Sequence, residues 1–510
     1  LRGNTLAPDS GCVCGTIVSR ASIMRRGSYA SGSLQWFGRM NNAKPTTDNR
    51  PGGWQVKTDR SSEKFATGGS GDRRAIRRAV LSLALPIVGG DRVQRGVNVV
   101  DALLVGRLGA AELAAVGLSQ LLLMFVMALV YGLGIGATVM VAFHTGATDV
   151  RRRAWSARTV LVIGVAATLV LGSAGILFSD PVVRFMGAEG RLFDLTHTYL
   201  QVTWYLFGAY VFLHLTSAVF QGVGDTRTPL RAMVWVNILH VVVAVPLIFG
   251  LWGLPKWGVA GAALASGVSE GVGAAWLLWQ AARRGLFGAW GTGWSPHELW
   301  RILRVGFPAM GERLITHGMQ LVFARLVISF GVAAYAAHQV GLTIESLSFL
   351  PGLGFAKAAT TLVGQRLGAQ DADGARRATR QANLLGLAIM SVWGASFVLF
   401  PRAWVGLFTP DPEVLAYSVP LMTTLGLMQP PLAVAMVTAG ALRGAGDTPM
   451  VLAAAIVGGW CVRLPIAYVG GVAARIGMTM VWMTMALDWT VRCLIMSWRF
   501  KRLRLTDVRL

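Results

Sequence analysis

Charge is scarce in this chain. Only 14% of its 510 residues are Asp, Glu, Lys or Arg, against roughly 25% in an average soluble protein. That deficit excludes an ordinary soluble enzyme, and the length argues against one soluble domain. Cysteine is scarce as well. Cys12, Cys14, Cys461 and Cys493 fall in two distant places, which gives neither a disulfide framework nor a zinc ligand set. No Gly-Lys dipeptide occurs, so there is no phosphate-binding loop and no ATP-driven motor. No His-Glu-x-x-His segment occurs either, and no cofactor or metal is called for. A membrane-embedded enzyme would need a convergent His/Asp/Ser or metal cluster that the sequence does not assemble. What is abundant is apolar: 54% of residues are hydrophobic and the mean hydropathy is +0.54. The class is a polytopic membrane protein, and uphill transport must draw on an ion gradient.

Lys and Arg outnumber Asp and Glu by 47 to 24. In a soluble protein that balance would point to nucleic acid. Beside apolar spans it reads as a topology signal and contact with the lipid bilayer surface, with no nucleic-acid partner. Residues 1–72 are rich in Gly, Ser, Arg and Asn and hold no apolar run of membrane length. They are expected to be a disordered basic leader, with a transit sequence or an over-extended reading frame as the alternatives. From Arg73 onward, twelve apolar runs recur at about 79–104, 112–142, 154–178, 194–221, 229–250, 257–282, 299–329, 333–364, 377–400, 412–442, 449–472 and 476–498. Each can cross a hydrocarbon core of roughly 30 Å as helix. Arginines crowd one side of these spans, from Arg73 and Arg74 through Arg151, Arg152 and Arg153 to Arg499 and Arg502. That side is expected to be cytoplasmic, with both termini on it, in a cell inner (plasma) membrane.

Sliding the chain by 222 residues aligns 79–149 with 301–371 without a gap, at 19 identities in 71 positions. Pro86 meets Pro308, Thr138 meets Thr360, and Asp149 meets Asp371. The same offset puts Gly224-Asp225-Thr226 on Gly446-Asp447-Thr448; apolar bias cannot place a polar loop in register. The expected fold is an all-α membrane protein of twelve transmembrane helices, in two six-helix lobes (73–290 and 291–510) related by a parallel internal repeat. Two-lobed bundles of this kind are transporters, with substrate between the lobes.

Charged groups at bilayer depth cost about 2.5–3.5 kcal/mol each on insertion scales, so each calls for a reason. Asn98 and Asp101 share one helix face. Asp101 is either a carboxylate that carries protons in a dry cavity or an interfacial acid paired with Arg107. Asp91 with Arg95, and Asp488 with Arg492, read as ion pairs one turn apart. Glu312, beside Arg313, follows Pro308 by one turn. His338, Gln339 and Glu345 fall in the eighth span, where Lys357 snorkels or lines a cavity. His240, in the fifth span with no acid near it in sequence, reads as hydrogen-bonded structure.

The stretch Asn98-Val-Val-Asp-Ala-Leu-Leu-Val-Gly-Arg-Leu-Gly109 resembles the first-helix signature of the multidrug and toxin extrusion (MATE) family, and 221–229 and 442–449 resemble its interhelical loops. Ala336-Ala-His-Gln339, 344–351 and 359–365 resemble its bacterial DNA-damage-inducible (DinF-like) branch. The likeness covers about 75–505. It implies a two-lobed antiporter that exports organic cations or other amphipathic compounds in exchange for protons or sodium ions. In proton-type members an acid at the position of Asp101 is the coupling group. Where the family carries an Asn and an Asp on the fifth helix, this chain has His240 and Ala244, which makes His240 a second titrating candidate. Sodium-type members need deep acids in the seventh and tenth helices; the tenth here has only Asp411 and Glu413, near its outer end. The resemblance therefore implies protons over sodium. On this reading Asp101, Asn98, His240 and Glu312 couple the ion, while Gln339, Glu345, His338 and Lys357 line the small-molecule cavity of a monomer. A flippase for a lipid-linked precursor is the alternative, kept open by Arg92, Arg95 and Lys357.

Overall fold

The computed structural model describes residues 73–288 and 295–508; the expected leader at 1–72 and the lobe boundary near 290 lie outside them. Among the described residues there is no strand. The first lobe comprises α1 (Arg73–Gly106), α2 (Ala110–Gly146), α3 (Val150–Phe185), α4 (Gly190–Tyr205), α5 (Phe207–Val223), α6 (Arg227–Phe249) and α7 (Gly258–Arg283). The second comprises α8 (Pro296–Ile328), α9 (Val332–Gly368), α10 (Ala372–Leu399), the short α11 (Pro401–Gly406), α12 (Pro412–Gly444), α13 (Thr448–Ala473) and α14 (Met478–Arg502). Helices α4 and α5 meet at a 52° bend and form one broken span. With that pair joined and α11 set aside, there are twelve spans among the described residues, one per apolar run.

Six single helices and the bent pair are apolar enough to cross a membrane on composition alone. The five spans that fall short are α1, α7, α8, α9 and α14. Each carries a mid-helix acid: Asp91 and Asp101, Glu270, Glu312, Glu345 and Asp488 respectively. Asp91, Asp101, Glu312 and Asp488 meet ion-pair partners inside the bundle, while apolar side chains such as Leu169 and Val392 face outward.

The repeat is visible in the bonding. Thr138 Oγ1 donates to the Ala218 carbonyl at 3.1 Å and Thr360 Oγ1 to the Gly440 carbonyl at 2.9 Å; donors and acceptors both differ by the 222-residue offset. Asp149 caps α3 by accepting the Arg152 N–H, and Asp371 caps α10 by accepting the Gly374 N–H. The residues just before these caps, Thr148 and Gln370, both hold left-handed backbone, at φ 53° and 57°.

The lobes seal against each other at the end of the bundle that carries the arginines. Gly146 abuts the Gln365 carbonyl and its repeat mate Gly368 abuts the Phe143 carbonyl, so closely that neither position has room for a methyl group. Thr361 Oγ1 donates to the Gln221 carbonyl and Gln365 Nε2 to the Gly222 carbonyl, each at 3.0 Å. Two helices approach this closely only where side chains are absent.

Candidate functional site

Beyond that seal, a cavity of about 680 Å³ lies between the lobes, within the range that takes a drug-sized molecule. Its first-lobe wall holds Asp101 on α1 and His240 on α6, with His240 Nε2 2.5 Å from Asp101 Oδ1. The two side chains are 5% and 19% exposed, His240 the deeper. Asn98, one turn before Asp101, lines the same cavity and accepts a hydrogen bond from Gln94 at 3.4 Å. Glu270 enters from α7, within electrostatic range of His240. Asn237, one turn before His240, is buried against the cavity, and among the described residues its Nδ2 has no partner.

The opposite wall belongs to α8, α9 and α12. Lys357 reaches Asp91 Oδ2 across the seam at 3.5 Å. Arg443 holds both oxygens of Glu312, at 2.6 and 2.7 Å. Arg313 stacks over the Tyr131 ring at 4.1 Å.

Several expectations change at this point. His240 has an acid beside it after all, one 139 residues away in sequence. Asp101 pairs with that imidazole rather than with Arg107. Asp91 pairs with Lys357 rather than Arg95, because α1 turns Asp91 toward α9 and leaves Arg92 and Arg95 exposed. The Asp488–Arg492 pair forms, buried, with contacts of 2.5 and 3.0 Å. Of the residues expected to couple the ion, Asp101, Asn98 and His240 come together, while Glu312 lies across the seam, held by Arg443. Of those expected to line the cavity, only Lys357 does. Glu345 and His338 lie inside the second lobe beside Arg463 of α13. Gln339 bonds to the Tyr335 hydroxyl. It shares the Lys357 face of α9, but 18 residues away the rise puts it about 27 Å along the helix.

Sequence reasoning passed over Glu270, although it is the only charged residue of the sixth apolar run. It also passed over Asn237 and Tyr131, for which no local signal existed, and gave no role to Arg443 although that residue lies in the 442–449 motif.

The MatE family profile matches residues 86–245 and 308–469, two stretches that open on the repeat mates Pro86 and Pro308. The "Probable multidrug resistance protein NorM" of Thermotoga maritima is 32% identical over 423 residues, 81% of this chain and 89% of that one. Its counterpart of the same description in Rhizobium meliloti is 30% identical over 446 residues, 84% and 93% of the two chains. Among solved structures, an outward-facing multidrug resistance MATE family transporter superposes with a TM-score of 0.77 at 25% identity. It covers 88% of this chain and 98% of that one.

Proposed function

Because the chain belongs to the MatE family, we infer that it is a secondary antiporter exporting drug-like or amphipathic organic compounds in exchange for protons, with Asp101 and His240 as the proton-carrying pair. It is a multi-pass membrane protein and a transporter, not an enzyme. The observation that carries the coupling proposal is the 2.5 Å contact between Asp101 and His240 on the cavity wall.

With one proton shared, the pair is an imidazolium against a carboxylate, neutral as a whole and tolerable in a low-dielectric wall. Losing that proton leaves a bare negative charge beside Glu270, which a substrate or a returning proton must relieve. Proton and substrate are thereby set in competition for one wall, as exchange requires. The driving force is adequate. One charge crossing 100 mV yields about 2.3 kcal/mol, enough for a substrate gradient of roughly fifty-fold, since tenfold needs about 1.4 kcal/mol.

The arginine bias supports an inner-membrane orientation with both termini cytoplasmic, and hence a structure sealed on the cytoplasmic side. The cavity is complete within one chain, which supports a monomer. The test is efflux of a fluorescent dye from cells making the protein, with and without a protonophore. Efflux that stops when the proton gradient collapses supports the proposal; efflux that persists, or follows sodium instead, overturns proton coupling.

A further inference from the structure

The cavity walls are electrically unlike. Every carboxylate that lines the cavity, Asp91, Asp101 and Glu270, belongs to the first lobe, and every Lys or Arg that lines it, Arg313, Lys357 and Arg443, to the second. The three cations converge: all three line the cavity around Tyr131 and act on it electrostatically, and the Arg313 guanidinium lies over its ring at 4.1 Å. They are incompletely answered. Asp91 reaches Lys357 only at 3.5 Å, long for a charge-assisted bond. Arg443 is more than nine-tenths buried and gives one nitrogen to both Glu312 oxygens, while its Nε has no partner among the described residues. Arg313 forms no ion pair there; its charged neighbours of opposite sign, Glu312 and Asp91, are those already taken by Arg443 and Lys357. Around Tyr131, three cations face only two carboxylates, Asp91 and Glu312, which leaves one positive charge locally uncompensated at membrane depth, an expensive arrangement unless an anion visits it.

We propose that Arg313, Lys357 and Arg443, gathered around Tyr131, form an oxyanion subsite that takes the carboxylate, sulfonate or phosphate group of an amphipathic substrate. The subsite names the substrate class of the cavity described above and so rests on the transporter reading. Its apolar body lies between the lobes, where Met124, Met127 and Leu353 line the wall. A cationic group on the same molecule would face Asp101 and Glu270. The acidic wall then exchanges protons and the basic wall selects the cargo.

The probe is a rhodamine with a free benzoate carboxylate, compared with the methyl ester of the same dye, which keeps shape and ring system and removes the anion. Binding is read by fluorescence anisotropy to the full-length protein in neutral-lipid nanodiscs, without any gradient. The native protein is expected to bind the acid at least tenfold more tightly than the ester. Lys357→Gln and Arg313→Gln should erase that preference, and Lys357→Arg should keep most of it. An ester bound as tightly as the acid by the native protein overturns the subsite, and this holds whether or not the variants fold. So does a preference unchanged in both folded Gln variants. Adding phosphatidylglycerol to the nanodiscs separates two sources of the anion: competition with the acid dye assigns the subsite to a lipid headgroup, and indifference to a soluble amphiphile. Proton-driven uptake into vesicles is measured separately. Acid preference without proton-driven uptake would sink the antiporter and keep the subsite, and proton-driven uptake favouring the ester would do the reverse.

Discussion

Glu298 offers a direct test of how the sealed end is held. Its carboxylate, in the first turn of α8, meets His144 Nε2 of α2 at 3.1 Å and accepts from Ser156 Oγ of α3 at 2.9 Å and Arg301 Nη1 at 3.2 Å. His144 and Glu298 are 1% and 3% exposed, so the second lobe is tied to the first through a nearly dry carboxylate. The Arg301 contact is within α8 and partly exposed, worth at most about 1 kcal/mol. The cross-lobe bonds matter more. Glu298→Gln keeps an acceptor oxygen but loses the charge, so the loss is that of charge-assisted bonds to a buried group, about 1–3 kcal/mol. If those bonds exist only while this end is closed, the closed-to-open ratio falls by about five- to 150-fold. Spin labels at Arg151 and Arg376, both exposed and one in each lobe, report the separation by double electron–electron resonance. The variant should show a longer-distance population that the native protein lacks. A distribution unchanged in a folded Glu298→Gln protein would refute the idea that this carboxylate latches the lobes.

Three further outcomes are expected. Gly368→Val drives a side chain into the Phe143 carbonyl; overpacking of about 1–3 kcal/mol should open the same end and be read by the same pair of labels. Asp225, in the loop between α5 and α6, is burdened by burial, but the Thr228 hydroxyl and amide and Arg284 hold its carboxyl below the ordinary range. A depressed folded value means stability present above the unfolded value of about 3.9 and lost as pH falls through the folded one. Asp225→Asn should therefore cost about 0.5–2 kcal/mol of stability at neutral pH, comparable to losing a cap and read as a lower melting temperature, and the gap to native protein should close on acidification. His240→Asn removes one titrating partner of Asp101; calorimetry in buffers of different ionisation enthalpy should show fewer protons released per substrate bound, with binding itself retained.

The spans and the repeat were legible because they rest on composition and on an in-register polar loop, and both survive in the Thr138 and Thr360 bonds. Asp101 was legible as a charge that a membrane makes expensive. Its partner was not, because His240 is 139 residues away and only the packing of α1 on α6 joins them. Asp91 illustrates the opposite error. Spacing of four residues permits a pair with Arg95, but the helix phase set by packing on α9 hands Asp91 to Lys357. Helix phase also explains Glu345, which lies about 120° around α9 from Lys357 by the 3.6-residue turn and so points into the second lobe. Glu312 was recognised as important, yet its engagement by Arg443 depends on a contact across 131 residues.

Substrate-driven proton release from proteoliposomes, with native protein and Asp101→Asn side by side and sodium tested in parallel, bears most directly on coupling through the Asp101–His240 pair. Native protein should release protons when substrate is added, and Asp101→Asn should bind substrate but release none. Proton flux indifferent to Asp101, or a response to sodium alone, would contradict it.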